Sequence, residues 1–256
     1  VLITLVIGAG ASASITADIE SQGTNLLTVT SSTGAETLTQ GDAAALEDRR
    51  THPEIEGAVP EYTAPAVAAV GENSESTQVA GVTPEYAVVR NVEVAQGRFF
   101  TDEEVKAQAT VAVLGATLAQ DLFGAGEVVG REFRIGTQPM TVIGVLKESG
   151  GAGFGSNDSR VFAPLSTVQS RLFAAPRYRG DLTLTGLSIA VIDSTLMDTA
   201  EKRVEETLRL RHGLGVDDDN DFSIFNQASL LDIAGSVTNT LSILLGSLGA
   251  VSLLVG

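Results

Sequence analysis

Every charged residue of this chain lies between Asp18 and Asp232, and the two ends beyond them are uncharged. Residues 233–256, IAGSVTNTLSILLGSLGAVSLLVG, become dense in Leu, Val and Ile from Leu241 onward. A bilayer core about 30 Å thick takes roughly 20 such residues as a helix, so the segment reads as the start of a transmembrane helix rather than a buried core helix. Gly246, Ser247, Gly249 and Ala250 would give it the small-residue face on which membrane helices approach closely. Residues 1–17, VLITLVIGAGASASITA, are strongly apolar only from Val1 to Ile7 and lack an initiator Met and a positive leader. They read as the end of another membrane helix, not as a signal peptide. The expectation is a fragment in which one folded region hangs between two truncated spans.

That region is large enough to bury a core, since the chain has 256 residues of which 43% are hydrophobic. A formal net charge of -16 argues against nucleic acid, because phosphate backbones are bound by clustered Lys and Arg. There is no Cys, so disulfides, thiolate chemistry and cysteine zinc sites are excluded, and His52 and His212 are too few for a histidine metal site.

Periodicity divides the middle into strands and helices. GTNLLTV predicts a strand, and TQGDAAALEDRR a helix with an acidic residue favourable to its dipole near the start. Residues 57–81 predict a hairpin around the polar turn ENSES. ATVAVLG predicts a short strand, and ATLAQDLFG a helix with Leu118, Leu122 and Phe123 on one face, stopped by Gly124. GREFRIG and PMTVIGVLK predict an antiparallel pair, residues 150–158 a glycine-rich loop, and VFAPLSTVQSRLF a strand then a helix. LTLTGLSIAVID, 182–193, is the longest strand candidate. In the helix that follows, Met197, Ala200, Val204 and Leu208 share a face. DFSIFN predicts a last strand.

No motif specifies an enzyme. GAG at 8–10 and GAGFG at 151–155 are not followed by the Lys and Ser or Thr of a phosphate loop. DDDNDF, 217–222, has Phe222 where a calcium loop needs Gly and Ala228 where it needs Glu, so it reads as an acidic surface turn. His212 reads as a helix C-terminal cap and His52 as a loop residue before Pro53, with no Ser, His, Asp set between them.

In order, GTNLLTV (23–29), VAGVTPEY (79–86), VAQGRFFTDEE (94–104), VAVLGATLAQDLFG (111–124), VGREFRIG (129–136), TVIGVLKESG (141–150), FGSND leading to VFAPLSTVQSRL (154–172), LRLRHG (208–213), DDDNDFSI (217–224) and the closing LLGSLGAVSLLVG resemble the periplasmic core domain of MacB-type ABC transporter permeases, within the FtsX-like permease group. The resemblance implies an α+β, two-lobed extracytoplasmic domain between transmembrane helices 1 (1–17) and 2 (233–256). Its mixed α/β, porter-like lobe would be 20–90 with 182–230, and its inserted strand-rich lobe 91–181. It also implies a set of motif positions with structural roles: Gly97, Arg98, Phe99, Phe100, Gly115, Gly130, Phe154, Gly155, Asp158 and Pro164. Gly97 and Gly155 would permit backbone turns closed to other residues, and Phe99 and Phe100 would anchor the lobe core.

The function implied is not catalytic. The domain would sit outside the bacterial cytoplasmic (inner) membrane and couple ATP hydrolysis in a cytoplasmic ATP-binding subunit to export or to an extracytoplasmic conformational change. No cofactor is expected in this chain; ATP and Mg would belong to that subunit, separate or fused. Further implied partners are a second permease copy, as homodimer or heterodimer, membrane lipid, and a periplasmic adaptor or hydrolase. The alternative is a membrane-anchored binding or regulatory module that activates a cell-wall hydrolase without transport.

Overall fold

A computed structural model describes residues 25–32, 37–149, 156–227 and 229. The expected membrane segments 1–17 and 233–256, together with Phe154 and Gly155, lie outside the described residues. Among the described residues no helix is long and apolar enough to cross a membrane.

The strands in chain order are β1 (Leu26–Ser31), β2 (Ile55–Val70), β3 (Asn73–Val82), β4 (Val94–Gly97), β5 (Val111–Leu114), β6 (Glu132–Ile135), β7 (Gln138–Leu146), β8 (Arg160–Pro164), β9 (Arg177–Tyr178), β10 (Asp181–Leu182), β11 (Gly186–Val191) and β12 (Phe222–Asn226). The helices are α1 (Gln40–Leu46), α2 (Tyr86–Val89), α3 (Asp102–Lys106), α4 (Ala116–Phe123), α5 (Leu165–Thr167, running into a π turn at Val168–Leu172) and α6 (Met197–His212). The result is a mixed α/β fold. Ten of the strands form one sheet in the order β12-β1-β11-β2-β3-β8-β5-β7-β4, with β6 joining β2 to β7.

The 16-residue β2 holds the fold together because it serves two cores. Its first part, Ile55 to Glu61, pairs with β11, and its second part, from Tyr62, pairs with β3. Around the first part, β12, β1 and β11 carry Phe222, Leu27, Val29, Leu187 and Ile189 against Leu46 of α1 and Val204 and Leu208 of α6, all in one buried cluster. The spacing of Met197, Ala200, Val204 and Leu208 puts all four on the covered side of α6.

Around the second part, β2, β3, β8, β5, β7 and β6 pair successively and return to β2, closing a barrel. Strand alternation then explains why β5 reads as an unbroken apolar run. Ala112 and Leu114 join Phe133, Met140 and Val161 in one cluster, while Val113 joins Tyr86, Phe100 and Phe162 in another. Both faces of that strand are buried.

Two expectations need correction. The long strand expected over 182–193 is broken: β10 ends at Leu182 and β11 begins at Gly186. Thr183 bridges Thr39, the Leu184 amide donates to the Leu38 carbonyl, and the Thr185 amide to the Glu61 carbonyl, so the intervening residues bond to other segments. The hairpin of 57–81 does form, but it turns at Gly71, with a φ of +59°, and Glu72; the rest of ENSES is strand. An exposed tip can be polar and still pair.

Candidate functional site

The densest set of buried ionisable groups joins α1, α6 and the approach to β12. Thr39 precedes α1, and Asp42 in its first turn reaches back to accept from the Thr39 amide at 2.8 Å and its hydroxyl at 2.7 Å. The other Asp42 oxygen accepts from Arg211 Nε at 2.5 Å. His212, on the last turn of α6, lies between two carboxylates: Nδ1 is 2.7 Å from Asp221 Oδ1 and Nε2 is 3.5 Å from Asp42 Oδ2. The ring meets Phe222 and Tyr178 edge-on, at 5.7 and 6.5 Å between centroids. His212 and Asp42 are both buried.

The electrostatics follow from these contacts. Burial works to raise the pKa of Asp42, yet the hydrogen bonds from His212, Arg211 and Thr39 outweigh it and hold the carboxyl down at about 2. Burial likewise works to lower the pKa of His212, and its bonds to Asp42 and Asp221 reverse that, leaving it raised above 6.5. Beside the ring, Thr37, Tyr178, Arg179 and Asp181 line a shallow cleft. Both ring nitrogens are taken up by carboxylates and Thr39 Oγ1 is bonded to Asp42, so the arrangement positions no activated nucleophile. It is built to hold three segments together.

This corrects the reading of His212 as a cap. Arg179 does that work, donating to the carbonyls of Arg211 at 2.7 Å and His212 at 3.1 Å, and Gly213 closes the helix in the left-handed region. His52 does lie in the loop between α1 and β2, and there it is buried, with Nδ1 3.2 Å from Glu54 Oε1 and Nε2 3.1 Å from Thr207 Oγ1. Arg203 of α6 donates to Glu54 Oε2 at 2.9 Å and to the Thr51 carbonyl. One helix thus uses Arg203, Thr207, Arg211 and His212 to fasten its neighbours.

The motif positions serve separate points of the fold. Gly97 ends β4 with a φ of +75°, and a Cβ there would lie 2.2 Å from the Ile143 carbonyl oxygen. Arg98 forms a fork with Glu104, at 2.8 Å for each bond, and Glu104 also accepts from the Thr101 amide at the start of α3. The Phe99 and Phe100 rings are 4.3 Å apart, and Phe100 is buried while Phe99 is half-buried. At Gly115 a Cβ would lie 2.2 Å from the Asn157 carbonyl oxygen. Asp158 is buried and accepts from the Ser149 amide and hydroxyl, each at 3.0 Å. Pro164 is buried and pairs with Val82, and Gly130 is exposed, its amide donating to the Val142 carbonyl at 2.7 Å.

Residues 1–207 match the MacB-like periplasmic core domain. The chain belongs to that family. Among curated relatives of this MacB-like chain, the macrolide export ATP-binding/permease protein MacB of Azoarcus sp. is 35% identical over 264 residues, covering 100% of the chain and 38% of the relative. That of Wolinella succinogenes is 32% identical, with 100% and 39% covered. The chain therefore spans under two fifths of the length of these relatives. Among solved structures, the periplasmic region of MacB from Actinobacillus actinomycetemcomitans superposes with a TM-score of 0.68 at 22% identity, covering 84% of this chain and 94% of that one. The extracellular domain of the transporter YknZ from Gram-positive bacteria gives 0.63 at 20% identity, covering 79% and 100%. Both likenesses concern the fold.

The Asp42, His212, Asp221 cluster was missed by sequence reasoning. Its partners are separated by |i−j| of 170 and 9, and the sole local signal was Thr39 followed three residues later by Asp42.

Proposed function

We propose that this chain is the extracytoplasmic domain of an ABC transporter permease subunit, and that it passes ATP-driven movement from the cytoplasm to export or to a conformational change outside the membrane. The observation that carries the reading is the pairing of β1 with β12, where Leu27 lies opposite Asn226. The start of β1 and the finish of β12 therefore lie side by side at one end of the sheet. If residues 1–17 and 233–256 are membrane helices, relative movement of the two acts on adjacent hydrogen-bonded strands. A sheet transmits that displacement because each strand's backbone bonds resist sliding.

In this reading the domain has two lobes. The porter-like lobe, 20–90 with 182–230, holds the cluster of α1, α6 and the β12-β1-β11 strands, and the inserted lobe, 91–181, builds most of the barrel. The barrel also recruits the outer half of β2 and all of β3, so the lobes share a hairpin. Gly97, Arg98, Phe99, Phe100, Gly115, Gly130, Asp158 and Pro164 serve turns, caps and packing. The domain performs no chemistry itself. ATP and Mg belong to the ATP-binding subunit or region, and a second permease copy completes the transporter in the inner membrane.

The test uses full-length protein with its ATP-binding subunit, in lipid nanodiscs, with and without residues 25–227. A complex that still assembles but whose ATPase rate changes on deletion supports coupling. A complex with an unchanged rate, or no complex with intact protein, overturns it and favours an anchored binding module.

A further inference from the structure

We propose that His212 is a protonation-dependent clamp, whose imidazolium bridges Asp42 on α1 and Asp221 at the entrance to β12 and whose loss of a proton loosens that seam. A neutral imidazole has one N–H and one lone pair, and the imidazolium alone donates at both nitrogens. Here both nitrogens face carboxylate oxygens, Asp221 at 2.7 Å and Asp42 at 3.5 Å. Removing the proton therefore sets a lone pair against a carboxylate inside a site where His212 is 6% exposed.

From α6, Arg211 is bound to Asp42 Oδ1, and from the β9–β10 turn Arg179 is bound to the carbonyls of Arg211 and His212. Asp181 of β10 and the Tyr178 ring of β9 line the same cleft. Neither Arg side chain donates to Asp221, so His212 supplies the positive contact described for that carboxylate. Because the folded environment raises the pKa of His212, its contribution is complete below about 6.5 and is lost as pH rises through the raised value. The clamp rests on the fold alone and stands or falls separately from the transport reading.

Hydrogen exchange of the full-length protein in nanodiscs from pH 5.5 to 9, corrected for intrinsic rates, tests it. Peptides covering α1 and residues 213–226 should lose roughly tenfold in protection across one step as pH rises. His212→Gln should be weakly protected throughout, with no step, and His52→Gln should keep the step. Asp221→Asn, which leaves the ring one carboxylate, should move the step to lower pH and remains informative if His212→Gln folds poorly. A flat profile in the unsubstituted protein, or the same step in His212→Gln, overturns the proposal.

Discussion

A Cβ on Gly97 would stand 2.2 Å from the carbonyl oxygen of Ile143 on the neighbouring strand β7. The backbone there also has a φ of +75°, which L side chains rarely adopt. Gly97→Ala should therefore cost at least about 2 kcal/mol, combining strain with a displaced strand pair. Gly136→Ala, with a φ of +59° but open space around it, should cost about 1 kcal/mol. Urea denaturation of the two variants checks the ordering, and equal midpoints would show that the close approach to β7 carries no cost.

Val204 is fully buried on α6, while Glu205 next to it is half-buried and accepts from Asn220 Nδ2 at 2.8 Å. Val204→Asp places an unpaired carboxylate in the first core and should cost several kcal/mol. Glu205→Ala removes one hydrogen bond and should cost about 1 kcal/mol. Equal melting temperatures would sink the assignment of the covered face of α6.

Acid should weaken the α1 end of the structure. Asp42 has its pKa held at about 2, against 3.8 for an ordinary aspartate. Its stabilisation is present above pH 3.8 and is lost as pH falls towards 2, a contribution of roughly 2 kcal/mol. Asp42→Asn should flatten the melting temperature between pH 5 and 2.5 relative to the unsubstituted protein, and an unchanged slope would remove Asp42 from the account.

A net charge of -16 makes the compact state repel itself, so salt should stabilise it. Raising KCl from low concentration to 1 M shortens the screening length to about 3 Å. Exposed pairs such as Lys147 with Glu93 are worth too little for their screening to cancel that gain. The melting temperature should rise by several degrees, and a falling one would mean that attractive pairs dominate the surface.

Local patterns predicted the elements well where one physical cause dominates. The apolar spacing of α6 needs nothing beyond the helical period, and Gly124 after Phe123 ends α4. The 182–193 segment failed because its Thr residues have strand preference whichever partner they find, and Thr183 and Leu184 bond to the segment before α1 while Thr185 bonds to β2. His212 failed for a related reason: a histidine at a helix end satisfies the dipole rule whether or not two carboxylates enclose it.

What the sequence determined by itself was the placement of charge, the alternation of strands and helices, and the order of segments that marks the MacB-like family. Those depend on period, composition and local bonding, which act within a few residues. Only the tertiary structure decided that β2 would serve two cores, that a barrel would close through β6, and that Asp42, His212 and Asp221 would meet. All but the His212 contact with Asp221 join residues far apart in the chain, and their energy depends on burial and geometry that no local pattern carries.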